Sequence, residues 1–211
     1  QVIVSRNPLE LSALVYQDYM QAIKQSASVR PYLVAIDGPC ASGKTVLAKE
    51  LKKQLETSYG LSIGLIELDH FFLPPALRTE ARFAEPGGNI HYERFQQEVI
   101  LSVLAGRTPT YKVFDCGIMD YAEEIVMTEN NIILIEGVYS HHPLWQDNLD
   151  LKIFCHADLK ERLERIEKRD GQKKLKRFVD EWIPMEDKYF TIYNISGSSD
   201  IMFQSGSSQP F

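Results

Sequence analysis

Short unbroken apolar runs alternate along this chain with stretches of helical spacing. Residues 32–36, 62–68, 131–135 and 151–155 are dominated by Ile, Leu, Val and Ala. Such runs fit parallel strands buried on both faces. Between them, apolar residues recur every three or four positions. Leu11, Leu14, Val15 and Ile23 follow an Asn7-Pro8 helix start and precede Pro31, which ends the helix. Leu47, Leu51 and Leu55 share one face of a helix over 44–55, and a further helix is predicted over 92–104. Residues 73–90 hold three prolines and two adjacent glycines and read as an irregular loop. Residues 111–116 and 124–128 pair as a hairpin, a charged helix opens at Asp158 and runs to about Asp170, and residues 201–203 form a last short strand. Strands alternating with helices imply an α/β fold with a mostly parallel central sheet and helices on both faces. Ligands in such folds bind at the carboxyl ends of the strands.

Composition narrows the picture. The chain has 211 residues, enough for one domain with a full core and no staples. Its net charge of −6 argues against a protein that coats nucleic acid. No apolar run approaches the roughly 18 to 20 residues of a membrane span. The first residues lack the basic start and apolar block of a signal peptide. Cys40, Cys116 and Cys155 are scattered, with no CxxC pair, so neither a zinc site nor a disulfide framework is expected. A cytoplasmic protein is the expectation.

One motif carries the chemistry. Residues 38–45 read Gly38-Pro39-Cys40-Ala41-Ser42-Gly43-Lys44-Thr45, a full match to G-x-x-x-x-G-K-[ST], with a buried strand before it and a helix after it. In that setting the backbone N–H groups from Cys40 to Thr45 cradle phosphate oxygens, aided by the helix N-terminus. Lys44 supplies a mobile positive charge, and the Thr45 hydroxyl is a ligand for Mg²⁺. No Asn-Lys-x-Asp guanine signature and no Leu-Ser-Gly-Gly-Gln transporter signature accompanies the loop. The small-molecule kinase branch is left. Asp69, at the end of the strand over 62–68, is then placed to accept a proton from an attacking hydroxyl.

At this point the chain resembles the uridine kinase family of P-loop kinases. The loop GPCASGKT followed by LDHFF is similar to that family's loop and its Asp-x-Phe-Tyr segment. Residues 132–137, Ile-Ile-Leu-Ile-Glu-Gly, resemble its apolar strand ending in Glu-Gly. Residues 162–170 resemble its arginine-rich helix entering a lid, and residues 111–115 its Tyr-Asp hairpin. Phosphoribulokinase and bacterial pantothenate kinase share the pattern. The resemblance implies a three-layer P-loop NTPase fold with a β-hairpin insertion and a helical lid. It implies ATP and Mg²⁺ as cofactors, Asp69 as catalytic base, and Glu136 beside Thr45 at the metal. It implies a small-molecule acceptor with a primary hydroxyl, a nucleoside first and pantothenate or a sugar second. A nucleotide-binding regulator that transfers nothing is the rival reading. Dimers or tetramers are implied by the resemblance alone.

The acceptor side departs from the family. Its ribose-holding Asp segment corresponds to residues 87–95 here, where His91 or Glu93 stands in. Met119 occupies the neighbourhood of its pyrimidine-reading His. Phe72, His91, Tyr111, Asp115 and Arg162 are the candidate acceptor contacts. Residues 160–177 carry nine Lys or Arg against four Asp or Glu, a local +5 that leaves −11 for the rest of the chain. Arg162, Arg165 and Arg169 share a helix face there. Arg165 and Arg169 are the candidate phosphate-facing catalytic residues, and Lys173, Lys174, Lys176 and Arg177 the lid tip. The pair His141-His142 reads as polar loop. The expected organisation is an N-terminal helix over 1–30, a kinase domain over 31–204 with its lid at about 160–183, and a loose tail over 205–211.

Overall fold

The computed structural model describes residues 2–25 and 30–206. Six parallel strands form one sheet in the order β1-β8-β7-β2-β6-β3. They are β1 (Ile3–Ser5), β2 (Tyr32–Asp37), β3 (Ile63–Glu67), β6 (Ile132–Glu136), β7 (Leu151–His156) and β8 (Ile201–Gln204). The central strands β2 and β6 are buried throughout, as expected for strands covered on both faces. β4 (Thr110–Asp115) and β5 (Asp120–Val126) form a separate antiparallel hairpin whose register shifts at Val113/Phe114. The turn is tighter than the sequence pattern suggested, because β5 begins at Asp120.

One face of the sheet is covered by α1 (Pro8–Gln25) and α2 (Lys44–Tyr59). Leu11, Val15, Leu47, Leu51 and Leu55 pack there against Val34 and Ile153. The start of α1 is as expected: the Asn7 side chain accepts the Leu9 N–H at 2.9 Å, and Pro8 opens the helix. The apolar stripe of α1 is part of the main core, and β1 before it extends the sheet. The residues joining α1 to Arg30, where Pro31 was expected to end the helix, lie outside the described residues. So do residues 207–211 of the expected tail, whereas the Ser205 N–H still bonds to the His156 carbonyl.

The other face is covered by the helical run of α4 (Tyr92–Phe95), a π-turn at Gln96–Ile100 and α5 (Leu101–Leu104), together with α7 (Ile183–Ile192). Phe95, Val99, Val103 and Tyr189 pack there against Leu33 and Ile135. The irregular segment 73–90 contains one short helix, α3 (Glu80–Ala84). α6 (Leu159–Arg177) runs on past Asp170, kinked at Gly171 where φ is +79°. A second π-turn, Phe178–Trp182, joins it to α7, and Ile166, Phe178 and Ile183 pack beside Cys40 and Ala41. The presumed lid therefore folds onto the phosphate-loop sequence. Among the described residues no helix is long and apolar enough to cross a membrane.

Candidate active site

β2 ends in Asp37, and the chain turns sharply into the loop at Gly38. A side chain at Gly38 would meet the Cys155 carbonyl oxygen of β7 at 2.2 Å, so only glycine lets the two strands close here. Asp37 is fully buried. Its carboxylate accepts the N–H groups of Gly38, Tyr139 and His141 at 2.7, 3.2 and 2.9 Å, and the Tyr189 hydroxyl at 2.8 Å. One side chain thus fixes the start of the loop, the turn after β6, and α7. The Asp37 amide contact holds Tyr139 at φ +77°, an uncommon conformation for so bulky a residue. His141 and His142 are both buried in that turn, so they are core histidines rather than a polar surface pair.

The loop is braced from behind. Lys44 lies buried with Nζ on the Pro39 carbonyl at 2.9 Å, and the same carbonyl accepts the Ser42 N–H. The Cys40 N–H donates to Glu186 Oε2 at 2.9 Å. Two of the amides expected to face phosphate, those of Cys40 and Ser42, are therefore engaged inside the protein. The amides of Lys44 and Thr45, in the first turn of α2, have no intrahelical acceptor and remain for an anion.

Around this loop stand three carboxylates. The Thr45 hydroxyl donates to Glu136 Oε1 at 2.9 Å. Glu136 is buried, and burial pushes its pKa up to about 7 against the pull of Lys44 and Thr45. Glu67 lies beside it in the β3–β6 register. Asp69 follows in a single 3-10 turn, Leu68–Phe71. It is open to the cleft, yet the surrounding walls strip enough water to raise its pKa; Lys44 opposes this and Glu67 adds to it. Among the described residues no group of three or more His, Cys, Asp or Glu is gathered closely enough to hold a metal by itself. The donor set suits a Mg²⁺ ion that takes few protein ligands and completes its shell with phosphate oxygens and water. Thr45, with its proton given to Glu136, keeps its lone pairs for such an ion.

Of the candidate arginines, Arg165 reaches the loop, with Nη1 on the Ala41 carbonyl at 3.0 Å. Arg169 is exposed and paired with Asp170 at 2.7 Å, although its charge still acts on Asp69. Arg162 does not face an acceptor. It is buried, donates to the Cys40 carbonyl at 2.8 Å and pairs with Glu186 at 3.5 Å, because a cation beneath the loop neutralises the carboxylate that holds the Cys40 amide. Two further acceptor candidates are also placed elsewhere. The Tyr111 ring is buried against Phe71, at 5.1 Å between centroids, as an aromatic strand residue that completes the core. Asp115 is exposed and accepts the Gly117 N–H at 2.6 Å, closing the hairpin turn. Phe72 and His91 lie next to the turn that carries Asp69. Phe72 bridges to Ile90, the His91 N–H donates to the Phe71 carbonyl at 2.7 Å, and His91 Nδ1 is buried without a partner.

Asp37, Glu67 and Glu186 were missed by sequence reasoning. Asp37 had a signal, since a charge ending a wholly apolar run must be satisfied on folding. Glu186 had none, because it lies 146 positions from its partner. A cavity of about 910 Å³ lies at the other end of the sheet, near Arg30 and Asn131, away from this chemistry.

The AAA domain family matches residues 34–188, which span the loop, the three carboxylates and α6. The chain belongs to that family. Its curated relatives are kinases. Uridine-cytidine kinase B of Dictyostelium discoideum is 29% identical over 161 residues, covering 72% of this chain and 63% of that protein. A uridine kinase of Halalkalibacterium halodurans is 27% identical over 148 residues, covering 67% and 68%. The chain thus spans less than two thirds of the length of the Dictyostelium enzyme. Among solved structures, a possible uridine kinase from Bacillus stearothermophilus shares this AAA-family chain's fold with a TM-score of 0.67 at 18% identity, covering 90% of this chain and 98% of that one. D-glycerate 3-kinase from Cryptococcus neoformans does so with a TM-score of 0.66 at 15% identity, covering 84% and 86%.

Proposed function

We propose that this protein is an ATP- and Mg²⁺-dependent phosphotransferase acting on a primary hydroxyl of a small metabolite. The observation that carries the reading is the placement of Asp69 within electrostatic reach of Lys44, beside the Thr45–Glu136 pair. A pure nucleotide binder has no use for a carboxylate there. The phosphates would lie on the amides opening α2, with Lys44 leaving the Pro39 carbonyl for their outer oxygens. Thr45 and Glu136 would hold Mg²⁺, which neutralises charge on those phosphates when bound. Asp69 orients the acceptor hydroxyl and takes its proton, a role favoured by a pKa raised toward the working pH. Arg165 at Ala41 and Arg169 on α6 stabilise charge on the migrating group as the lid packs down. The relatives named uridine kinase or pantothenate kinase support a nucleoside or a pantothenate-like acceptor.

The test is ADP release from ATP with and without a panel of nucleosides, pantothenate and sugars. Release stimulated by one acceptor, with its phosphorylated product found by mass spectrometry, is the expected result. Release that no acceptor stimulates would point to a plain NTPase, and no release with ATP bound to a regulator.

A further inference from the structure

The left-handed backbone at Tyr139 persists only where the surroundings over-determine it. Three neighbours do so. The Tyr139 N–H donates to Asp37 Oδ1 at 3.2 Å, where the phosphate loop begins. The Tyr139 ring meets the Tyr189 ring of α7 edge-on, with centroids 4.8 Å apart. The segment over 87–91 crosses it as well: a side chain added at Gly87 would lie 3.5 Å from Tyr139 Cδ1 and 3.0 Å from His142 Cδ2. Two residues on, the Asn89 amide donates to the Tyr139 hydroxyl oxygen, while Asn89 Oδ1 is buried without a partner. The same segment is fastened to the chain around Asp69. The Leu73 N–H donates to the Asn89 carbonyl at 3.2 Å, the His91 N–H donates to the Phe71 carbonyl at 2.7 Å, and Phe72 bridges to Ile90. Residues 87–91 thus form a strap from Tyr139, at the phosphate loop, to the turn that carries Asp69.

We propose that Tyr139 is a positioning residue for phosphoryl transfer: through the strap over 87–91 it sets the distance between the phosphate loop and the Asp69 turn. The inference rests on the kinase reading and concerns the geometry of the step, whatever the acceptor. Tyr139 touches neither reactant in this role and acts through Gly87 and Asn89. Transfer needs the attacking hydroxyl within a few ångströms of the phosphate, and a displacement of about 1 Å costs on the order of 10²-fold in rate. Two anchors joined by a short strap hold that separation. Packing alone would call for neither a left-handed backbone nor a hydroxyl at a position only 3% exposed.

The experiment reads transfer and hydrolysis from one reaction at fixed Mg²⁺-ATP with uridine, cytidine, pantothenate, D-glycerate or D-fructose. Phosphorylated product is measured by mass spectrometry and free phosphate by colorimetry. For the acceptor that the natural protein uses best, Tyr139→Phe keeps the ring and loses the hydroxyl. It should lower kcat for transfer about 10–100-fold and lower the ratio of transfer to hydrolysis by a similar factor. The ATP dissociation constant and the melting temperature should hold. Asn89→Ala should act alike, and the double variant should be no worse than the weaker single, because both changes remove one bond. An unchanged kcat, equal losses of transfer and hydrolysis, or a lower melting temperature with additive losses overturns the positioning role and leaves the kinase standing. A natural protein that transfers to none of the five acceptors, with ATP still bound in a separate titration, overturns the kinase reading and the role of Tyr139 with it.

Discussion

The Thr45 hydroxyl donates to Glu136 Oε1 at 2.9 Å, and this bond joins the first turn of α2 to the end of β6. Gln at position 136 keeps an acceptor for Thr45 but removes the charge. Glu136→Gln should therefore lower kcat/KM about 10–100-fold and raise the Mg²⁺ concentration needed for half-maximal rate. ATP binding in EDTA should not change. Initial rates across a Mg²⁺ titration check this, and an unchanged half-saturation point would remove Glu136 from the metal site.

Asp69 tests the chemical step itself. Asp69→Asn preserves shape and loses the proton acceptor, so kcat should fall about 10²–10⁴-fold. ATP affinity should hold or tighten slightly, because a like charge has left the phosphate region. Single-turnover rates and calorimetric ATP titration separate the two quantities. Transfer that survives the change would assign the base elsewhere, with Glu67 as the next carboxylate to remove.

The loop, its flanking strand and helix, and the position of the carboxylates Asp69 and Glu136 at strand ends were legible in the sequence because each is local. The loop residues are contiguous, and Asp69 and Glu136 end apolar runs whose period announces them. The bracing beneath the loop was not legible. Arg162 read as an acceptor contact because it shares a helix face with Arg165 and Arg169, and only the packing of α6 onto Cys40 buries it beneath the loop. Tyr111 and Asp115 carry the right residue types for an acceptor pocket, but a hairpin uses the same types for its core and its turn. β1 went unread because three residues at a sheet edge are too few to establish a period. The charged helix does break after Asp170, at Gly171 with φ +79° and ψ 169°; what went unread is the second helical segment that follows it directly to Arg177.

Arg162 and Glu186 form a buried pair whose partners are also bound to the Cys40 backbone. Burial raises the Glu186 pKa, with the Cys40 N–H and Lys44 opposing it. Removing one charge leaves the other uncompensated, so Arg162→Met should destabilise the fold by about 3–5 kcal/mol. Glu186→Gln should cost less, since the amide oxygen still accepts the Cys40 N–H. The double variant should lose clearly less than the sum of the singles. Urea unfolding of all four proteins measures the cycle. Strict additivity would mean that the two side chains brace the loop independently.

His142 sets an expectation for pH. Its ring stacks between Tyr92 and Trp145, 4.9 Å from each, and its Nδ1 accepts the Leu144 N–H at 3.2 Å. Burial lowers its pKa from 6.5 to about 4; Arg82 adds to the effect and Glu93 opposes it. The folded state therefore binds fewer protons than the unfolded chain between those values. This contribution is complete above pH 6.5 and is lost as pH falls toward 4, on the order of 3 kcal/mol in all. Phe at this position keeps the stacking and cannot titrate. Urea midpoints at pH 7.5 should place His142→Phe somewhat below the natural protein, because the Leu144 amide loses its acceptor. By pH 4.5 the gap should close or reverse. Parallel stability curves for the two proteins would show that the ring carries no proton-linked strain.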